Sequence, residues 1–147
     1  MAKLVEATAE VELAAVRELF REYARLVDVP CCFADFEREV ASLPGEYRLF
    51  LAEANAGCVA IRFLDSNTAE MKRLYVRSAH RGKGLGRALA EVAIGTARQA
   101  GCTRIVLDTL PKMQEAQALY RALQFRPIEP YLESPTPGAL CFELRFS

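Results

Sequence analysis

A chain of 147 residues, 52% hydrophobic and 26% charged, carries enough apolar side chain for one buried core and reads as a single domain over residues 1–147. Nineteen Lys and Arg balance nineteen Asp and Glu, so the charge offers no electrostatic footprint for nucleic acid or an anionic membrane surface. The longest apolar runs are strand length, which argues against a transmembrane helix, and Met1-Ala2-Lys3-Leu4-Val5-Glu6 turns acidic too early for a signal peptide. Five cysteines, an odd number without C-x-x-C or metal-ligand spacing, point to a reducing cytoplasm. Three of them sit in apolar or helical patterns as small hydrophobes. The Cys31-Cys32 pair reads as packing or loop.

Leu4 to Ala7 reads as a short strand. Thr8 is a reasonable N-cap, with Glu10 and Glu12 favourable near the positive end of the helix dipole. Leu13, Val16, Leu19, Phe20, Tyr23 and Val27 repeat at helical spacing, which predicts an amphipathic helix from residue 9 to about 26, broken by Pro30. A second helix is expected over Phe33 to Leu43, stopped by the turn pair Pro44-Gly45. Three strand-like runs follow: Arg48 to Glu53, Cys58 to Leu64 and Ala69 to Val76. Their short links suit an antiparallel meander.

Arg81-Gly82-Lys83-Gly84-Leu85-Gly86-Arg87 comes next. Glycines at alternate positions let the backbone turn tightly and approach a ligand. The helix behind them, marked by Leu85, Leu89, Val92, Ala93, Thr96 and Ala100, presents its unpaired N–H groups and positive dipole end at the same point. Together these make an anion site, most plainly for phosphate. The order matches neither a Walker loop nor a G-x-G-x-x-G fingerprint, because Arg87 stands where the third Gly would be. Gly101 ends the helix, and Thr103 to Thr109 is a continuous apolar strand, expected to be buried on both faces and parallel to Ala69–Val76. Met113, Ala116, Leu119, Tyr120 and Leu123 predict a further helix. Strands at about Arg126 to Tyr131 and Ala139 to Phe146 flank the loop Glu133 to Gly138.

Two stretches carry a resemblance. Arg81, Gly84 and Gly86 fit R/Q-x-x-G-x-G/A between a strand and a helix, and Ala116-Gln117-Ala118-Leu119-Tyr120-Arg121-Ala122-Leu123-Gln124-Phe125 is similar to A-x-x-L-Y-x-x-x-G-F. Both resemble signatures of the GNAT superfamily of acyl-CoA-dependent N-acyltransferases, and the predicted order βααβββαβαββ is similar to its fold over the whole chain. Leu43-Pro44-Gly45-x-Tyr47, Glu70 to Val76, Asp108 to Pro111 and Pro135-x-Pro137-Gly138 look like one small bacterial branch. Met113 stands where the family often has Asn, and Gln124 where it nearly always has Gly. The resemblance implies a three-layer α/β (α+β) fold with a mixed, mostly antiparallel sheet of about seven strands. It also implies acetyl-CoA as co-substrate without a metal, and a small-molecule primary amine as acceptor, and it leaves room for a homodimer.

By that resemblance the pyrophosphate lies on Arg81, Gly82, Lys83, Gly84, Leu85, Gly86 and Arg87, and the pantetheine arm runs along Leu74, Tyr75 and Val76 where two strands splay. One helix terminus contributes about 0.3–2 kcal/mol against about 8 kcal/mol for micromolar binding, so loop N–H groups and the arm must act together. A free alkyl amine is roughly three units too protonated at pH 7, a deficit of about 4–5 kcal/mol, so a proton acceptor is needed. Glu70 occupies the position, eleven residues before Arg81, where protein-acetylating members carry a base. Its plainer alternative is a surface carboxylate paired with Lys72. The resemblance gives Tyr120 the protonation of the leaving thiolate; otherwise it is a core tyrosine. Tyr47, Glu70, Arg73, the first two helices and the Pro135–Gly138 loop are expected around the acceptor, with Arg62 and Arg73 on a carboxylate of it. The lone His80 reads as solvated, so direct transfer is expected rather than an acyl-enzyme. Two other readings stay open: a CoA-binding sensor without turnover, and acetylation of a protein N-terminus or lysine.

Overall fold

A computed structural model describes residues 3–27, 36–132 and 137–146. Pro30, Cys31-Cys32, the expected start of the second helix at Phe33 and residues 133–136, Pro135 included, lie outside the described residues. The elements run β1 (Leu4–Glu6), α1 (Glu10–Val27), α2 (Phe36–Ala41), β2 (Arg48–Ala52), β3 (Gly57–Phe63), β4 (Thr68–Val76), α3 (Leu85–Gln99), β5 (Arg104–Thr109), α4 (Gln114–Ala122), β6 (Arg126–Ile128) and β7 (Leu140–Arg145). This is the order expected from the sequence. The strands form one seven-stranded sheet in the order β1-β2-β3-β4-β5-β7-β6, in which only β4 and β5 are parallel.

Strand alternation divides the core. Phe50, Ala52, Val59, Ile61, Ala69, Met71, Ile105 and Leu107 pack with α3 and with Tyr120 of α4, whereas Leu49, Leu51, Cys58 and Ala60 pack with α1 and α2. The helices therefore cover opposite faces of the sheet. Ile105, Val106 and Leu107 are all buried, so β5 is covered on both faces as expected. Cys58, Cys102 and Cys141 are free and buried. Burial pushes the Cys58 thiol up to about 12, which keeps it protonated and inert. Among the described residues no helix is long and apolar enough to cross a membrane.

Three local details differ from the expectation. The start of α1 is tied by Glu12, whose carboxylate accepts the N–H groups of Thr8 and Ala9 at 3.0 Å each and is held below the usual range by those bonds. The strand expected to reach Tyr131 stops at Ile128; Pro127 within it has no N–H to give, which an edge strand tolerates. The third detail lies within β4.

Cys58 pairs with Tyr75 but Ala60 with Lys72, so β4 spends one more residue than β3 over the same step. Arg73, at φ 58°, is the residue that makes this β-bulge. The bulge resets the strand's phase: Met71 packs on the α3 face and Tyr75 on the α1 face, although four residues apart they would otherwise share one. Gly57 lies at the other end of the irregular step, and a Cβ there would stand 2.6 Å from the Tyr75 carbonyl oxygen. β4 pairs with β5 only from Thr68–Arg104 to Glu70–Val106. Beyond that step the two strands separate, as the resemblance implies.

The helix α4 ends as its departure from the family signature suggested. Gln124, exposed, takes φ 75°, while Phe125 N–H donates to the Tyr120 carbonyl at 3.0 Å across the turn. A left-handed non-glycine residue costs about 1–2 kcal/mol, and glycine returns about 0.5–1 kcal/mol of that as unfolded-state entropy. Gln124→Gly is therefore expected to raise the unfolding free energy by about 0.5–1 kcal/mol. Urea unfolding checks this, and an unchanged or lower midpoint would mean the turn carries no strain.

Candidate active site

The separation of β4 and β5 opens a large cleft and a small cavity that share Tyr23 and Leu74 as walls. The cleft, of about 680 Å³, is lined by Leu74, Tyr75 and Val76 of β4 and by Arg81, Gly82, Gly84, Leu85 and Gly86 of the glycine loop. Its far wall is the segment Lys112 to Ala116 with Leu119, together with Leu26 and Val27 of α1. Eight of the ten residues expected on the cofactor thus line one cleft; Lys83 and Arg87 do not.

The glycine loop behaves as an anion site should. Gly82 and Gly84 both take φ +78° with open space where a Cβ would sit. Gly84 is the N-cap of α3, and no side chain caps that terminus. The first N–H groups of the helix, Leu85 to Arg87, have no partner within the helix and are free to meet an anionic ligand. Arg81 has a structural task here: its Nε donates to the Val76 carbonyl at 2.9 Å and fixes the loop to the end of β4. Arg87 lies 3.9 Å from Glu91 on the exposed face of α3. His80, expected in solvent, is half-exposed at the wall of the cleft. Lys112, not singled out in the sequence, also lines it and donates through Nζ to the Val27 carbonyl, tying the α4 segment to the end of α1. Met113 keeps a polar role without Asn: its sulfur lies 3.9 Å from the Tyr23 hydroxyl and 3.6 Å from that of Thr109.

The small cavity, of about 50 Å³, sits in the opening between the strands, bounded by Tyr23, Met71, Lys72, Arg73, Leu74, Asp108, Thr109 and Tyr120. It reaches from Tyr120 on the α3/α4 face to Asp108 beside β4's charged residues. The Tyr120 ring packs against Phe125 and Phe142, with centroids 5.8 and 6.2 Å away. Burial, with smaller contributions from Tyr23 and Asp108, raises its phenol above the ordinary range, so it stays protonated at neutral pH.

The other expected site residues form ion-pair networks beside the cavity. Glu70 is fully buried. Its Oε1 accepts from Arg62 Nε at 2.5 Å and its Oε2 from the Tyr131 hydroxyl at 2.5 Å. The surface pairing with Lys72 weighed from sequence is therefore not what forms. Arg62 also reaches Glu46 at 2.8 Å. Arg73 donates to both oxygens of Glu39, which in turn accepts from the Tyr47 hydroxyl at 3.1 Å. Of Tyr47, Arg62 and Arg73, only Arg73 borders the cavity. Asp108 escaped selection, although one signal was present: a carboxylate within a strand otherwise apolar on both faces needs a reason to be there.

Comparison with known proteins gives this architecture a family. Residues 13–125 match the model of the acetyltransferase (GNAT) family. The chain is 39% identical over 92 residues to an uncharacterized N-acetyltransferase of Schizosaccharomyces pombe, a match covering 62% of this chain and 56% of that protein. A second, from Dictyostelium discoideum, is 25% identical over an alignment that covers 95% of this chain and 96% of that protein. Among solved structures, an acetyltransferase from Bacillus subtilis in complex with CoA superposes with a TM-score of 0.73 at 18% identity, covering 100% of both chains.

Gly84 supplies a direct test of the anion site. A Cβ at its φ costs about 1–2 kcal/mol unless the loop relaxes, and a relaxed loop must be restored on binding. Gly84→Ala is expected to weaken coenzyme A binding about 5- to 30-fold, the equivalent of that strain. Calorimetric titration reads this out; unaltered affinity would mean that the αL conformation does not matter to the ligand.

Proposed function

The chain belongs to the acetyltransferase (GNAT) family, and we propose that it takes acetyl-CoA as its donor and transfers the acetyl group directly to the primary amine of a small molecule. The observation that carries this reading is that the two spaces adjoin: a cleft with an uncapped helix terminus shares the walls Leu74 and Tyr23 with a small cavity lined by a buried phenol and a carboxylate. Donor phosphates fit the loop N–H groups of Gly82 to Arg87. The edge of Leu74–Val76 that β5 leaves open suits the amides of the pantetheine arm. The donor supplies a thioester, which an uncharged amine attacks.

Tyr120 gives the departing thiolate its proton. Its aromatic packing fixes the ring, and burial keeps the hydroxyl neutral. Glu70 has both oxygens engaged, so in this arrangement it orders Arg62 and Tyr131 along the acceptor side. Arg73, fixed by Glu39, forms part of the same wall with Tyr47 behind it. The modest cavity favours a small acceptor over a peptide, and among the described residues no cysteine borders the cleft or the cavity to serve two-step chemistry; Cys58 is buried and protonated.

Replacing Tyr120 by Phe removes the hydroxyl and keeps the ring. Turnover is expected to fall at least tenfold, a general acid contributing about 100- to 10,000-fold where proton transfer limits the rate, while coenzyme A affinity stays the same. Thiol release from acetyl-CoA across amines, polyamines, amino acids and peptides measures the first, and titration the second. A wild-type protein that binds coenzyme A and acetylates none of them would leave the sensor reading in its place.

A further inference from the structure

The buried and partly buried acids around the split are paired, with one exception. Glu70 holds Arg62 and Tyr131, Glu39 holds Arg73 and Tyr47, Glu22 holds Arg77 and Tyr75, and Glu143 holds Arg104 and Arg145. Asp108 borders the cavity, yet among the described residues no side chain hydrogen-bonds or ion-pairs with its carboxylate. An open carboxylate in a partly buried place is costly unless something else makes use of it.

Its position is equally specific. Glu70–Val106 is the last paired step of β4 and β5, and two residues further on each strand stand Lys72 and Asp108, where the strands have parted. Ile105 and Leu107 face the α3 core, so Asp108 points to the opposite face of the sheet, across the opening from Tyr120. From these facts we propose that Asp108 is the catalytic residue that takes the proton from the acceptor's ammonium group. The proposal rests on the transferase reading above and assigns the half of the reaction that Tyr120 does not perform.

The protons balance. The acceptor ammonium gives one to Asp108, which passes it to solvent. The freed nitrogen attacks the thioester carbon, the C–N bond forms and the C–S bond breaks. The amide nitrogen's second proton matches the one Tyr120 delivers to sulfur and regains, so the products are amide, free thiol and one released proton.

The charged and titratable neighbours of Asp108 are Lys72, Arg73 and Glu70 on β4, Cys141 on β7, Tyr131 after β6, Tyr120 on α4 and Tyr23 on α1. Burial raises the carboxyl above the usual carboxylate range and Glu70 adds to this; Lys72 and Arg73 oppose it and keep the charged form within reach. A carboxylate so raised is a better match to an amine than an ordinary one.

Acetyl-CoA and the fastest acceptor found among amino acids, polyamines and arylalkylamines provide the test. Asp108→Asn is expected to lower turnover at pH 7 at least 100-fold and leave coenzyme A affinity within about threefold. Its rate should climb about tenfold per pH unit towards the amine's own pKa, where the wild-type rate has levelled off. Sodium formate should restore part of the rate to Asp108→Ala, an effect that a purely structural role would not produce. The Asp108 carboxyl carbon in labelled wild-type protein, assigned by its loss in Asp108→Asn, should titrate above the ordinary carboxylate range, which keeps the proposal testable if a variant folds poorly. An Asp108→Asn rate within threefold of wild type, a parallel pH profile or an ordinary titration overturns the proposal and leaves the transferase reading standing. A wild type that acetylates none of the acceptors overturns both.

Discussion

A parallel strand pair that stays hydrogen-bonded to its end has no room for a ligand, and a pair that opens leaves main-chain groups without partners. This chain resolves that conflict at one place. β4 and β5 share three paired residues each and then part, although β4 continues to Val76 and β5 to Thr109. β4 remains bound to β3 through and beyond the opening because the extra residue at Arg73 is absorbed as a bulge, and because Gly57 has no Cβ to collide with the Tyr75 carbonyl. The same bulge turns Tyr75 toward α1 while Leu74 and Val76 stay with the α3 core. One residue's excess in a single strand thus sets both the shape of the opening and the side chains that border it.

Charged groups around the opening are arranged to hold its walls without filling it. Arg77 and the Tyr75 hydroxyl fasten the end of β4 to Glu22 on α1, and hydrogen bonding from Arg77 holds the Glu22 carboxyl below its ordinary range. Arg73 and the Tyr47 hydroxyl meet on Glu39 of α2. Glu70 joins β3's Arg62 to Tyr131 near the end of β6. Each bond links one element to another, so helices and strands are fixed relative to one another at the site. On the other side of the sheet the support is apolar: Leu85, Leu89, Ala90 and Ala93 seat the glycine-capped helix against the strands. A helix terminus held by buried contacts can leave its first N–H groups uncapped for a ligand.

The sequence by itself determined the element order, the antiparallel meander, the parallel crossover and the glycine loop ahead of α3, because these depend on local information. Apolar period, chain-breaking residues and glycines at alternate positions act over a few residues, and each leaves its mark in the spelling. The left-handed turn at Gln124 was suggested by the resemblance, which puts Gly at that position, and not by the residue itself. Only the tertiary structure decided the partners of the charged side chains. Glu70 read either as a base or as a surface carboxylate beside Lys72, because strand alternation cannot tell which residue from another strand lies alongside, and Arg62 and Tyr131 arrive from 8 and 61 positions away. Asp108 stood in plain view inside an apolar strand. Its meaning emerged only when the neighbouring strand parted from it, since whether a carboxylate is paired or left open depends on contacts that no local pattern encodes.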